Sequence, residues 1–461
     1  MEKLTVYELA ESSCGKITKG CPDDEINGIV IDSRQAKEGL MFTAIDGENN
    51  DGHKYIESAA DSGCRCFMVD KGRTPDIEGI NVIEVEETSK ALGKIAASYR
   101  KKFDIPFVGI TGSVGKTTTR DMVYAVLSAK MKTLKNEKNF NNHFGVPLTL
   151  FNLEKCHECA VIEMGMSGFG EIEYLADIVK PDIAVISNIG LSHVENLGSQ
   201  EGIFKAKMEI TTGFGEGNTL IVNGDDKFLG KLKDEEHEYG LVTFGFGNDN
   251  DIYCIDYIIN DDSIEFVCNV YGNEEKIYIP TVGKHNILNA MAAIAAGYKL
   301  GLDMDTIRKG LENFSATAMR LDIEKYGEFT VINDAYNASP DSMKAALDIL
   351  GRYRKRRIAV LGDMLEMGEH AEYGHRTVGA SCPGNADILI TAGKDSKFIN
   401  EEAEKNGFSK SNSHHFESKK DAEEFLDDIL EDGDVVLCKA SRGMKFEDFV
   451  AVAKEKSEKN R

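Results

Sequence analysis

The segment FVGITGSVGKTTTRDMV constrains this chain more than any other, because it asks for a buried strand, a glycine turn and a helix in immediate succession. The turn Gly112-Ser113-Val114-Gly115 can aim backbone N–H groups at phosphate oxygens. Lys116 then adds a positive charge at the β- and γ-phosphates, and the Thr117 hydroxyl, with Thr118 beside it, can ligate Mg²⁺. The common GxxxxGK[ST] form needs glycine at position 110, where the chain has Ile110, so the match is to the shorter TGxxGKT. The plainer alternative is a glycine turn that only joins strand to helix. Strand, glycines, lysine and threonine in register favour a phosphate loop.

With 461 residues the chain is long enough for about three domains. Residues 1–104 mix short β-type runs (INGIVIDS, LMFTAID, CRCFMVD, INVIEV) with one helical stretch, YIESAADSG, before the helix TSKALGKIAASYRKKF, and read as a small α/β domain. Residues 105–317 alternate β-type runs such as CAVIEMG and DIAVISNIG with helical patterns, the mark of a mostly parallel sheet covered by helices. Within that unit DIYCIDYIINDDSIEFVCNVYGNEEKIYIP alternates apolar and polar residues and predicts an antiparallel hairpin region. Residues 318–461 return to a βαβ pattern of Rossmann-like type, with FTVINDAY, RIAVLGDM, DILITAG and DVVLCKA as strands. The expected fold is therefore α/β in three domains. The charged tail VAKEKSEKNR reads as a fraying end.

Charge limits the partners. Lys and Arg number 54 against 78 Asp and Glu, a net charge of −24, which argues against general binding to nucleic acid or a membrane surface. A phosphate-bearing metabolite needs only a local set of donors. No stretch has the length of a membrane span, and MEKLTVYELAESS lacks the basic start and apolar run of a signal peptide. Ten scattered cysteines, among them Cys254, Cys268 and Cys438 in apolar runs, point to reduced thiols in the cytoplasm. Cys156 and Cys159 form a single CxxC with no second one to complete a zinc site, and FGFGNDND lacks the dinucleotide fingerprint.

Several polar residues fall where ligands of open α/β sheets bind. Glu163 ends the strand CAVIEMG and His193 follows DIAVISNIG, which puts both at the carboxyl edge beside the phosphate loop. Taken singly, Glu163 is a solvated strand-end acid, His193 a turn residue, Lys207 a surface lysine, Asn289 a helix cap, Asp334 a turn former and Arg320 half of a surface ion pair. Convergence of two strand ends and the loop on one edge is what favours a metal site at Glu163 and His193.

The segments TGSVGKTTT, KNFNNHFGVPLTL, EMGMSGFGEI, NIGLSHVENLGS, AKMEI, GKHNILNA and DAYNASPDSM occur in the order found in the Mur ligases, and the resemblance extends over all three domains. It implies a UDP-binding N-terminal domain, a central ATPase domain and a C-terminal domain for the incoming amino acid or dipeptide. Motif by motif, Lys116 would hold ATP phosphates, Thr117 and Glu163 one Mg²⁺, and His193 a second. Lys207 matches the lysine carbamylated by CO₂, with Lys205 the neighbouring alternative. Asn289 matches an adenine contact, and Arg320 and Asp334 match nucleotide-fixing positions. Ser33, Arg34 and the turn Asp51-Gly52-His53 resemble the UDP-sugar end of the site. Asn141 and Asn142 resemble the stretch facing the muramoyl peptide, and Tyr336 and Asn337 are taken with the substrate. LGDMLEMGE is similar to the members that add D-alanyl-D-alanine, and the DNPR-type motif usual in the members adding meso-diaminopimelate does not occur.

The implied reaction is ATP-dependent ligation of D-alanyl-D-alanine to UDP-MurNAc-tripeptide through an acyl phosphate, catalysed by a monomer. Lys116, Lys207 and His193 are the expected catalytic residues. Competing expectations are another amide ligase of the superfamily, including one like folylpolyglutamate synthase, and a silent nucleotide-binding sensor. The DSR…DGH pattern speaks against the folate reading.

Overall fold

In a computed structural model, residues 1–47, 50–137 and 139–459 are described. Strand Phe107–Thr111 is buried along its whole length, as its unbroken apolar run requires. It lies inside a nine-stranded sheet, with Cys159–Glu163 parallel on one side and Ile183–Ile186 parallel on the other. From Phe107–Thr111 the chain first goes to the edge strand Thr133–Lys135, returns through Cys159–Glu163, and then crosses to Ile183–Ile186. That reversal of direction opens a crevice at the carboxyl ends of these strands. The parallel order continues through Thr219–Asn223 and Gly240–Gly245 to Ile252–Ile259. Ile264–Val270 and Asn273–Ile279 then add antiparallel strands, as the alternating pattern predicts.

Helix Lys116–Ser128 packs on helix His285–Lys299, whose Ala290, Ala292, Ala293, Ala295 and Ala296 are fully buried. Small side chains let the two backbones approach and set the phosphate loop against Asn289.

The N-terminal sheet has five strands, parallel except for Lys16–Lys19, and the C-terminal sheet has six, parallel except for Asp322–Tyr326. Its strands Phe329–Asn333 and Val435–Lys439 are neighbours, so Asp334 and Lys439 arrive at the same edge. Among the described residues no helix is long and apolar enough to cross a membrane.

Two local expectations are corrected. The first hundred residues hold a further helix, Val6–Ser13, begun by a capping box in which the Thr5 side chain accepts from Glu8 N–H and the Glu8 side chain accepts from Thr5 N–H. As far as Lys459 the charged tail is helical, its last two residues lying outside the described ones: helix Glu447–Lys459 carries Phe449, Val450 and Ala453 into the apolar core, and these contacts outweigh the charge on its other face.

Candidate active site

The phosphate loop is fixed from outside as well as by its own turn. Ser113 N–H donates to the carbonyl of Asn188 at 3.0 Å and Val114 N–H to Asn188 Oδ1 at 3.0 Å. Asn188 Nδ2 and Ser187 Oγ donate back to the Val114 carbonyl at 2.8 and 2.7 Å. Gly112 is needed for this closeness, since a Cβ there would stand 1.9 Å from Ser187 Oγ, and Gly115 turns the chain at φ 85° into the helix. Lys116 curls back so that Nζ donates to the Gly112 carbonyl at 2.8 Å.

Beneath the loop the Thr117 hydroxyl donates to Glu163 Oε2 at 2.9 Å, joining residues 46 apart in sequence. Asn141 Nδ2 donates to Glu163 Oε1 at 2.8 Å, and Arg120 lies 3.3 Å from Oε2. The Asn136 carboxamide pairs with both the N–H and the carbonyl of Glu163, each at 2.9 Å, which fixes the backbone that carries the acid. Arg120 is also paired with Asp121 at 2.8 Å, and the Thr317 hydroxyl donates to Asp121 at 2.5 Å, which ties the chain leading into the C-terminal domain to this network.

Helix Gln200–Met208 separates the two lysines that the sequence left open. Lys205 is solvent-exposed and 3.1 Å from Glu201, whereas Lys207 is buried at 1% exposure with no acid or hydrogen-bond acceptor beside it among the described residues. Positions two apart on a helix face nearly opposite sides. Burial, with the Lys116 charge adding to it, pushes the Lys207 ammonium far below the ordinary lysine range. Lys116 is lowered too, by burial first, with Glu163 opposing and Arg320 reinforcing the shift.

The C-terminal domain closes the other side of a cleft of about 360 Å³. Arg320 stacks 4.2 Å over the Tyr336 ring, and the residues on either side of it, Met319 and Leu321, are left-handed at φ 61° and 51°. Asp334 accepts from Leu321 N–H at 3.1 Å and from Lys439 Nζ at 2.5 Å; Lys439 also donates to the Asn337 carbonyl at 2.9 Å. Burial lowers Lys439 against the pull of Asp334, and it lowers His285, nearby in the same cleft, to about 4. The Asn289 carboxamide accepts from Thr119 at 3.0 Å and donates to Asn286 at 2.9 Å. Ser113 Oγ and Arg320 Nε are buried without a hydrogen-bond partner among the described residues. Unpaired donors in a cleft that also holds Lys116, Lys439 and the start of helix Lys116–Ser128 suit an anionic ligand, although the Ser113 and Val114 N–H groups are taken up by Asn188.

The structure thus gathers Gly112 to Thr118, Glu163, Asn141, Lys207, Asn289, Arg320, Asp334, Tyr336 and Asn337 around one cleft and its floor. His193 lies at the rim, next to the cleft residue Ser192, with Nδ1 2.8 Å from Glu366 Oε2 but off its hydrogen-bonding direction. Asn142 is placed differently from Asn141: its Oδ1 accepts from Phe144 and Gly145 N–H at 3.2 and 2.9 Å and shapes the entry into helix Gly145–Leu150.

Ser33, Arg34 and Gly52 line a separate, shallower cavity of about 780 Å³ in the N-terminal domain. Arg34 there is exposed and doubly bonded to Asp32, and behind Gly52 the Asp51 carboxylate holds His53 at 2.9 Å and Arg73 at 2.5 Å. Arg73 keeps the Asp51 carboxyl well below the usual range. Sequence reasoning passed over Asn188, Arg120, His285 and Lys439. A lysine closing the buried run DVVLCK and two polar residues directly after AVI were signals on hand for Lys439 and for the Ser187-Asn188 clamp.

The comparisons with known proteins follow the same division of the chain. Family models match residues 25–100 (Mur ligase family, catalytic domain), 110–297 (Mur ligase middle domain) and 319–442 (Mur ligase, glutamate ligase domain). The chain is 40% identical over 458 residues, 98% of each protein, to the UDP-N-acetylmuramoyl-tripeptide–D-alanyl-D-alanine ligase of Bacillus subtilis (strain 168). It resembles the crystal structure of MurF from Acinetobacter baumannii at TM-score 0.91 and 30% identity over 99% of each chain. MurF ligase from Thermotoga maritima in complex with ADP has TM-score 0.83 and 27% identity over 94% of this chain and 98% of that one. A clamped phosphate loop under a cleft shared by two domains, in a chain similar to these proteins from end to end, leads to one conclusion: this chain belongs to the Mur ligase family.

Proposed function

We propose that the protein joins D-alanyl-D-alanine to UDP-N-acetylmuramoyl-tripeptide at the expense of ATP, releasing ADP and phosphate. The observation that carries the reading is the pairing of Thr117 with Glu163 directly beneath a phosphate loop whose lysine, Lys116, lies in the same cleft as Arg320 and Lys439. A relative 40% identical over 98% of the chain bears the name of the dipeptide-adding ligase, which favours this reaction over a folate-type or differently specific ligase and over a silent sensor.

In the reaction a carboxylate oxygen of the tripeptide attacks the γ-phosphorus, the bond to ADP breaks, and an acyl phosphate forms. The dipeptide amine then attacks the acyl carbon, loses a proton and expels phosphate. Lys116 is placed to hold the phosphates and offset charge on the transferring group. Arg320 and Asp334 fix the nucleotide from the C-terminal side, and Asn289 bounds the cleft for its base. Tyr336, whose burial raises its hydroxyl above the ordinary phenol range, walls the cleft under the Arg320 guanidinium.

The hard oxygen donors Thr117 and Glu163 fit Mg²⁺, and Asn141 keeps Glu163 aimed at that position. Mg²⁺ bound there, with a second ion toward His193 and Lys207, supplies positive charge against the repulsion between carboxylate and triphosphate. Lys207 fits the second site in one form only. Burial lowers its ammonium, which favours the neutral amine that CO₂ uptake with loss of a proton requires, and the resulting carbamate would be an anion where an ammonium would repel a cation.

The N-terminal cavity receives the UDP-sugar end through Ser33, Arg34 and Gly52, with Asp51 and His53 holding the turn behind Gly52. Asn142 engages only its Oδ1 in the turn, and its exposed Nδ2 is left for the muramoyl peptide. All ten cysteines are free, consistent with a reducing cytoplasm.

The test is phosphate release from ATP with UDP-MurNAc-tripeptide, with and without D-alanyl-D-alanine, followed by mass spectrometry. Release that needs both substrates and yields the pentapeptide is expected; no product with this pair, and product with another amino acid, would replace the reading with a differently specific ligase.

A further inference from the structure

Outside the nucleotide cleft, the C-terminal domain touches the central domain at one unusually shaped point. His193 Nδ1 and Glu366 Oε2 are 2.8 Å apart, and neither the phosphate loop nor the floor of the cleft involves Glu366. Both residues have left-handed backbone, φ 62° at His193 and 61° at Glu366, a conformation that a residue with a side chain adopts only when its surroundings hold it there. Two residues on, Gly368 at φ 50° rests on Glu195, where a Cβ would stand 2.9 Å from Glu195 Cγ. The loop 366–368 is therefore shaped to lie on the start of helix Val194–Leu197, the helix that His193 opens.

The Glu366 side chain is 64% exposed, and it is the left-handed backbone at both residues that sets this contact apart from an ordinary surface ion pair. The imidazole and the carboxylate are at bonding distance but off line, and among the described residues Nδ1 has no other partner. A small rotation of either side chain completes the bond. Metal-binding histidines use their other ring nitrogen in this way, on a carboxylate that fixes the orientation of the ring.

Building on the reading above, in which His193 faces a metal ion, we propose that Glu366 is a positioning residue for His193. The C-terminal domain thereby orients an imidazole of the central domain, and the His193 side of the metal site is complete only while the two domains are together. Domain contact and readiness for phosphoryl transfer become one event, which leaves ATP less exposed to attack by water while the domains are apart.

The experiment uses the full chain with ADP, titrated with Mn²⁺ and followed by electron paramagnetic resonance, for the wild type, Glu366→Ala, Glu366→Gln and His193→Ala. Glu366→Ala is expected to weaken the His193-dependent Mn²⁺ about 10- to 100-fold. Glu366→Gln, which keeps a carbonyl oxygen as acceptor, should fall between it and the wild type. In turnover, kcat should drop in the same order while KM for ATP stays unchanged, a split that simple loss of folding would not give. Wild-type Mn²⁺ affinity in Glu366→Gln, or in a folded Glu366→Ala, overturns the proposal if His193→Ala loses an ion. If His193→Ala loses none, the metal role of His193 is itself overturned, and the role of Glu366 goes with it.

Discussion

The nucleotide cleft and the N-terminal cavity are built in opposite ways. In the cleft, polar partners come from distant parts of the chain: Thr117 with Glu163, 46 residues on; Asp334 with Lys439, 105 on; Asp121 with Thr317, 196 on. Most of these groups are buried, and each depends on the fold to bring its partner. In the N-terminal cavity the reach is shorter: Arg34 pairs with Asp32 and His53 with Asp51, each two residues apart, Asp51 pairs with Arg73 22 residues on, and Arg34 stands in solvent. The difference separates two tasks. Charge in the cleft is preorganised out of water, where it can act on a transition state, while the cavity presents adaptable donors that can hold a substrate without altering its chemistry.

The contrast breaks most visibly at Lys116. Lys116→Ala should lower kcat about 1,000-fold with the fold intact by circular dichroism, because it removes a preorganised charge from the transferring group. Normal turnover would remove the cleft from the chemistry. Burial in the cleft should next show as acid sensitivity. His285 falls from 6.5 to about 4 on folding, so between those values the unfolded chain binds the extra proton and the folded one does not. Stability conferred by its neutral form is fully present above 6.5 and lost as pH falls toward 4, by about 3 kcal/mol from this group. Urea unfolding of His285→Gln, which cannot titrate, should show a flatter pH dependence across that window.

Lys207 and Lys205 sharpen the comparison within one helix. Lys207→Ala should cost about 100-fold in kcat, and Lys205→Ala, which removes only a surface pair, should leave it unchanged. Equal effects would mean that burial is not what distinguishes the two. The smallest effect belongs to the N-terminal cavity. Arg34→Ala should raise KM for the UDP-linked substrate about 10-fold with kcat and KM for ATP unchanged, the signature of lost uniform binding. A fall in kcat instead would show that the cavity is not merely a holding site.

What could be read from sequence follows the same line between local and distant. The phosphate loop is legible because its glycines, lysine and threonine are contiguous, and the strands are legible because a buried parallel sheet needs unbroken apolar runs. Glu163 gained weight only from its place at a shared edge. Lys207 over Lys205, by contrast, turns on which face of a short helix packs inward, and the hydrophobic pattern of QEGIFKAKM is too weak to say. The Asp334–Lys439 and Asp121–Thr317 pairs needed strand order and domain placement. Asn142 matched its motif, and the motif did not reveal that its Oδ1 also accepts from the Phe144 and Gly145 N–H groups. The helix Val6–Ser13 was announced by Thr5 and Glu8 three residues apart, a short signal easily overlooked beside the β-type run LTV.

The central claim, that the cleft activates a carboxylate as an acyl phosphate, is tested most directly with UDP-MurNAc-tripeptide carrying ¹⁸O in its terminal carboxylate. Turnover with ATP and D-alanyl-D-alanine should place one ¹⁸O atom in each phosphate released, because the oxygen that attacks the γ-phosphorus leaves with it. Phosphate free of ¹⁸O, formed in step with the amide, would contradict the account.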